Sequence, residues 1–252
     1  MNLVRSHKGS VTGGVILAIL LISFRMPCEA QENGQDRAAL YDHIYKATAE
    51  ALKDDPLVQN GVYYTYPYYN AEGHPFLGLK EFESGSIVFR GKEYDGLSLN
   101  YDLFNQLIIL SREYKGVLQM NLLDPEFVSG FQLKGKKFIK AAYHGQSSAF
   151  YQQISENTYI SCYYGWYKDR REIRDSGNRS IYSFSEEKSR RFLFLEGQLQ
   201  RYKSNNTFVK LFPESSRAGV KEYMQKNRIL VMEASDQAMN QLVEYCNKLL
   251  EQ

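Results

Sequence analysis

Between Gly85 and Ile139 the chain alternates apolar and polar residues in short runs divided by tight-turn signals, and this stretch limits the fold more than any other. Leu97, Leu99, Tyr101 and Leu103 alternate with Ser98, Asn100 and Asp102, a period of two that gives a strand one apolar and one polar face. Leu118, Met120 and Leu122 repeat the pattern against Gln119 and Asn121. Between them Leu107, Ile108, Ile109 and Leu110 run without a polar break, as expected of a strand covered on both faces. Arg90-Gly91, Lys134-Gly135 and Glu196-Gly197 supply turns, because glycine accepts the positive φ that two-residue hairpins need. No fixed period relates these turns, so they reflect shared hairpin chemistry and not a repeat.

The flanks complete an α+β, β-dominated reading. Asp36 to Asp54 places Leu40, Ile44, Ala47 and Ala51 at helical spacing, and Asp55-Pro56 stops it. Beyond the meander, further strands are expected at Phe150–Ile154, Tyr159–Tyr167, Ser180–Ser185, Arg191–Leu195, Gln198–Tyr202 and Thr207–Leu211. The mixed-sign run Lys168–Asp175, with Ser176-Gly177-Asn178 completing a loop, reads as a solvated hairpin tip. Ser215-Ser216 and Ser235 then precede two helices, the second with Met239, Leu242, Val243, Cys246, Leu249 and Leu250 as an apolar stripe. The expected fold is an antiparallel meander curled into a sandwich or partly open barrel, with an N-terminal helix and two C-terminal helices packed on it. A membrane barrel is disfavoured, since several strands fall short of the roughly nine to eleven residues that crossing requires.

Residues 1–30 read as a signal peptide: Arg5 and Lys8 form a basic start, Val11 to Phe24 an apolar run too short for a comfortable bilayer span, and Cys28-Glu29-Ala30 a cleavage context. Residues 31–252 then form a single β-rich domain. Arg25-Met26-Pro27 is a poor setting for acylation of Cys28. Removing Arg5, Lys8, Arg25 and Glu29 from the whole-chain 31 basic and 29 acidic residues leaves 28 of each, so the net charge of +2 belongs to the leader. A neutral domain has no global basic field for nucleic acid, and membrane association would be peripheral at most. Cys162 and Cys246 remain, and their positions leave a disulfide and two buried thiols equally open.

No nucleophile elbow, phosphate loop or His-Glu-x-x-His motif occurs, and His43, His74 and His144 are isolated, so no catalytic residue, metal or cofactor is assigned. Asp95 and Asp102 flank a strand and form the basis of an alternative, a carboxylate-dependent hydrolase acting on envelope or imported glycans. The candidate binding residues are Tyr64, Tyr66, Tyr68 and Tyr69, with His74 in the following turn. Tyrosine offers a flat apolar ring with a polar handle, and residues two apart on an extended segment share one face. Pro67 makes that segment an edge strand or an irregular extended stretch.

Asn60-Gly61 with Tyr64, Gly73–Phe76, Gly85–Asp95 and Leu99–Leu103 together resemble a group of uncharacterised exported proteins of Bacteroidota, a likeness that continues through Lys221–Leu250. The resemblance implies a Gram-negative envelope compartment, the periplasm or the outer-membrane periphery, and brings no activity or cofactor. The expected function is accordingly that of a non-enzymatic cell-envelope protein that binds a protein partner or a ligand such as a glycan.

Overall fold

A computed structural model describes residues 62–143, 146–174 and 176–251. Its strands are β1 (Val62–Tyr63), β2 (Glu83–Phe89), β3 (Lys92–Asp102), β4 (Leu107–Tyr114), β5 (Val117–Leu123), β6 (Val128–Leu133), β7 (Lys136–Tyr143), β8 (Gln146–Ser155), β9 (Ile160–Tyr167), β10 (Arg170–Arg174), β11 (Ser180–Phe184), β12 (Lys188–Leu195) and β13 (Gln198–Tyr202). The helices are α1 (Asn205–Lys210), α2 (Glu214–Lys226) and α3 (Asp236–Leu250). The leader and the expected helix Asp36–Asp54 lie outside the described residues.

Eleven strands form one antiparallel sheet in the order β1-β5-β4-β3-β2-β6-β7-β8-β9-β12-β13, and β10 and β11 pair separately. The large sheet has two edges and is not closed into a barrel. Its hairpins turn through Arg90-Gly91, Lys115-Gly116, Lys134-Gly135 and Glu196-Gly197, in which both residues have positive φ. That backbone twist matches the twist of the flanking strands, which is why a glycine stands second in each. Gly85 serves a different need: a Cβ there would lie 2.4 Å from the Gln132 carbonyl oxygen, where β2 meets β6.

The sheet curls over its own side chains. Tyr101 on β3 and Phe150 on β8 are four strands apart, roughly 19 Å in a flat sheet, yet their ring centroids are 6.1 Å apart. Tyr101 also meets Phe131 and Phe138 edge-on, at 5.1 and 5.5 Å. Further along the same inner face, Cys162, Tyr164, Leu193 and Tyr202 are covered by the helices, and Trp166 packs against both groups. The Ser235 hydroxyl accepts from the Ala238 N–H to cap α3, whose Met239, Leu242, Val243 and Cys246 are fully buried against the sheet. Cys162 and Cys246 are both free and buried.

The outer face of β4 is covered as well. Ile108 and Leu110 point inward, while Ile109 packs with Tyr66, Tyr68, Phe76 and Phe184, so the unbroken apolar run is indeed buried on both sides. Four local expectations are corrected. Asn100 and Asp102 are buried and not solvated, because the chain between Tyr64 and Phe82 crosses the polar face of β3. On β5 the fully buried positions are Asn121 and Leu123, whereas Leu118 is exposed and Met120 and Leu122 are half-buried under the outer cover. Thr207–Leu211 is no strand: the Ser204 hydroxyl accepts from the Thr207 N–H and the Thr207 hydroxyl accepts from the Ser204 N–H, a reciprocal cap that starts α1. Arg170–Arg174 is not the tip of a hairpin but one of its strands, β10, paired residue by residue with β11.

Candidate ligand-binding recess

After β1 the chain from Tyr64 to Tyr68 has no regular secondary structure, yet its burial alternates with a period of two, so Tyr64, Tyr66 and Tyr68 share one face. That face is turned inward. Tyr66 and Tyr68 are 6% and 8% exposed, and Tyr66 stands edge-on to Tyr68 at 5.7 Å and tilted against Phe76 at the same separation. Burial pushes the Tyr66 hydroxyl above the usual phenol range, with the Asp102 carboxylate adding to the effect. The Tyr64 hydroxyl is raised further by the same causes and is buried with no hydrogen-bond partner among the described residues. These three rings therefore hold the outer cover to the sheet, and of them only Tyr68 also borders a recess. Tyr69, one residue out of phase, is 73% exposed and touches Tyr66 edge-on at 5.6 Å.

The hairpin β10–β11 faces this segment. Backbone bonds fix the two together: the Glu72 N–H donates to the Tyr182 carbonyl at 2.8 Å and the Phe184 N–H to the Glu72 carbonyl at 2.9 Å. Between them lies a recess of about 330 Å³, walled by Tyr68 and Tyr69 on one side and Tyr182 and Ile181 on the other, with Asn70, Glu172 and Ser180 at its rim. The Ser180 hydroxyl donates to the Glu172 carboxylate. Behind the recess the Arg170 guanidinium lies over the rings of Tyr182, Phe104 and Tyr68 at 4.3, 4.7 and 5.7 Å. Such a cation among three ring faces anchors the hairpin by quadrupole attraction.

His74 lines no part of this recess. Its Nδ1 accepts from the Phe76 N–H at 3.2 Å and its ring stacks on Phe76. Burial, with Lys168 and Lys80 nearby, lowers its pKa below 6.5, in keeping with a neutral imidazole whose Nδ1 is an acceptor. Its carbonyl accepts from the Lys168 ammonium at 3.0 Å. The role of this histidine is to shape a turn.

Nor do the two aspartates converge. Seven residues of strand at about 3.3 Å each put Asp95 and Asp102 roughly 20 Å apart, beyond the roughly 5–9.5 Å that acid–base pairs in glycosidases span. Both oxygens of Asp102 are occupied: Oδ1 accepts from the Phe104 and Asn105 N–H groups at 2.9 and 2.8 Å, and Oδ2 from the Asn105 amide at 2.8 Å. Burial raises its pKa against the opposing effect of these bonds. Asp102 thus closes the β3–β4 turn. Among the described residues no cluster of three His, Cys, Asp or Glu side chains could hold a metal ion, and no helix is long and apolar enough to cross a membrane.

Of the residues that the sequence offers as binding candidates, Tyr68 and Tyr69 line the recess, and Tyr64, Tyr66 and His74 do not. Ile181 and Tyr182 fall on a strand expected from sequence but carry no binding signal of their own, and the charges of β10 conceal the strand that pairs with them. Comparison of the chain with protein-family models, with curated proteins and with solved structures finds no match among any of them.

Proposed function

We propose that this is an exported, non-enzymatic binding protein of the cell envelope, and that the recess between Tyr69 and Tyr182 takes a glycan. The observation that carries the reading is the pairing of two exposed rings, Tyr69 at 73% and Tyr182 at 41%, across a recess rimmed by the Asn70 amide, the Glu172 carboxylate and the Ser180 hydroxyl. Flat rings stack on the apolar faces of sugars, and a polar rim meets their hydroxyls. The binding reading is preferred to a carboxylate-dependent hydrolase because Asp95 and Asp102 lie too far apart to act as one acid–base pair. Export rests on the leader-like residues 1–30 and on the resemblance to exported proteins.

A panel of soluble oligosaccharides from envelope, host and plant polysaccharides, titrated calorimetrically, tests the proposal. At least one should bind saturably without being cleaved, and Tyr69→Ala, which leaves the Arg170 ring contacts intact, should weaken it at least tenfold with a melting temperature close to wild type. Absence of binding across the panel, or equal binding by Tyr69→Ala, would overturn the glycan reading.

A further inference from the structure

A second recess, of about 320 Å³, opens where the β3–β4 turn meets the end of β9 and the start of β12. Its walls are mainly rings: Phe104 from the turn, Trp166 and Tyr167 from β9, Phe192 from β12 and Tyr151 from β8. The turn is tied in place through Gln106, whose amide donates to the Trp166 carbonyl at 3.1 Å and accepts from the Tyr101 hydroxyl at 2.6 Å. Gly165 keeps part of the wall bare, since a Cβ there would come within 3.2 Å of the Tyr151 ring and 3.6 Å of the Phe192 ring.

The two charged side chains that line this recess, Lys168 and Arg190, are both cations. The Arg190 guanidinium lies over the Tyr167 ring at 4.3 Å, and Lys168, buried to 8% exposure, adds a second cation. Among the described residues no carboxylate forms an ion pair with Arg190; the nearby Asp169 is engaged by Lys188 at 2.6 Å. The Lys168 ammonium already donates to the His74 carbonyl at 3.0 Å and has Glu187 and Glu186 near it, so the cation that an incoming anion would meet is Arg190. Guanidinium on an aromatic face keeps its outer N–H donors directed at an incoming carboxylate, the group its planar fork fits best.

We infer that this recess binds a small aromatic carboxylate, its ring among Phe104, Trp166 and Phe192 and its carboxylate on Arg190. The site is separate from the glycan recess, and neither proposal depends on the other. Trp166 is the only tryptophan in the chain, so its fluorescence reports on this wall alone. Titration with 3-phenylpropionate at constant ionic strength should shift Trp166 emission saturably. The uncharged 3-phenylpropanamide should bind at least tenfold more weakly. Arg190→Gln, an exposed position, should abolish that tenfold preference and keep the wild-type melting temperature. A flat titration, equal binding of acid and amide, or an unaltered preference in Arg190→Gln would overturn the proposal. Equal binding of 3-cyclohexylpropionate would overturn its aromatic part.

Discussion

The two faces of β3 and β4 are buried by different means. On the inner face the strands of the sheet supply their own cover: Tyr101, Phe131, Phe138 and Phe150 meet because the sheet curls, and each comes from a regular strand. The outer face is covered by an irregular segment and a two-stranded hairpin, pinned by polar groups. The Asn100 amide donates to the carbonyls of Lys80 and Glu81, Asp102 holds the β3–β4 turn, and Arg170 sits among three rings. The larger apolar cluster lies inside. Outside, polar pins allow a cover that leaves the Tyr69–Tyr182 recess open to solvent, while the second recess opens at the end of the sheet, where Leu103, Phe150 and Trp166 of the inner face meet the β3–β4 turn. Loops on a rigid scaffold commonly carry recognition for this reason.

Three measurements bear on that contrast, beginning with the largest effect. Phe131→Ala should cost about 4 kcal/mol, since Phe131 stacks on Phe138 at 4.5 Å and also meets Tyr101 and Phe150. A denaturant midpoint close to wild type would mean that the inner face does not dominate. Asp102→Ala should cost about 2 kcal/mol, by leaving two turn N–H groups without their acceptor, and Asp102→Asn clearly less, because an amide oxygen keeps those bonds without a buried charge. Equal losses in the two variants would show that the charge itself matters.

The smallest effect concerns His74. Its folded pKa lies below 6.5, so in that window the unfolded chain binds more protons. The stabilisation it gives is therefore complete above about pH 6.5 and is lost as pH falls from there through the lowered folded value. Wild type should lose stability between pH 8 and pH 5 by more than His74→Gln does; parallel pH profiles would remove His74 from the pins of the outer cover. Asp102 has the opposite sign. Its raised pKa makes the folded chain the better proton binder, so its own contribution is complete below the ordinary carboxylate range and declines as pH rises from there through the raised folded value.

The inner face was largely legible in the sequence, because Leu97, Leu99, Tyr101 and Leu103 mark it by local alternation. What covers the other face was not. Alternation separates Asn100 and Asp102 from their apolar neighbours but carries no signal that a segment some twenty to forty residues earlier will cross them. The same limit applies to the tyrosines: spacing put Tyr64, Tyr66 and Tyr68 together, and only the tertiary contacts turn them inward and Tyr69 outward. β10 escaped detection because a strand paired on one side in a two-stranded sheet keeps most of its side chains wet and reads as a loop. In α1 the β-branched Thr207 and Val209 suggested a strand, and a six-residue helix has too little periodicity to outweigh them; the cap at Ser204 decided the outcome.

The two thiols make the helix-covered half of the inner face a clock. Cys162 on β9 and Cys246 on α3 belong to the same buried cluster, and burial pushes both up to about 12. A thiol in that state is nearly inert, because the thiolate is the reacting form and reagent has no access. Alkylation must wait until the packing of helix on sheet opens, so the labelling rate at each cysteine follows the frequency of that opening. Both positions reacting together would time a cooperative unfolding event, whereas earlier labelling of Cys246 would time the lifting of α3 from an otherwise intact sheet.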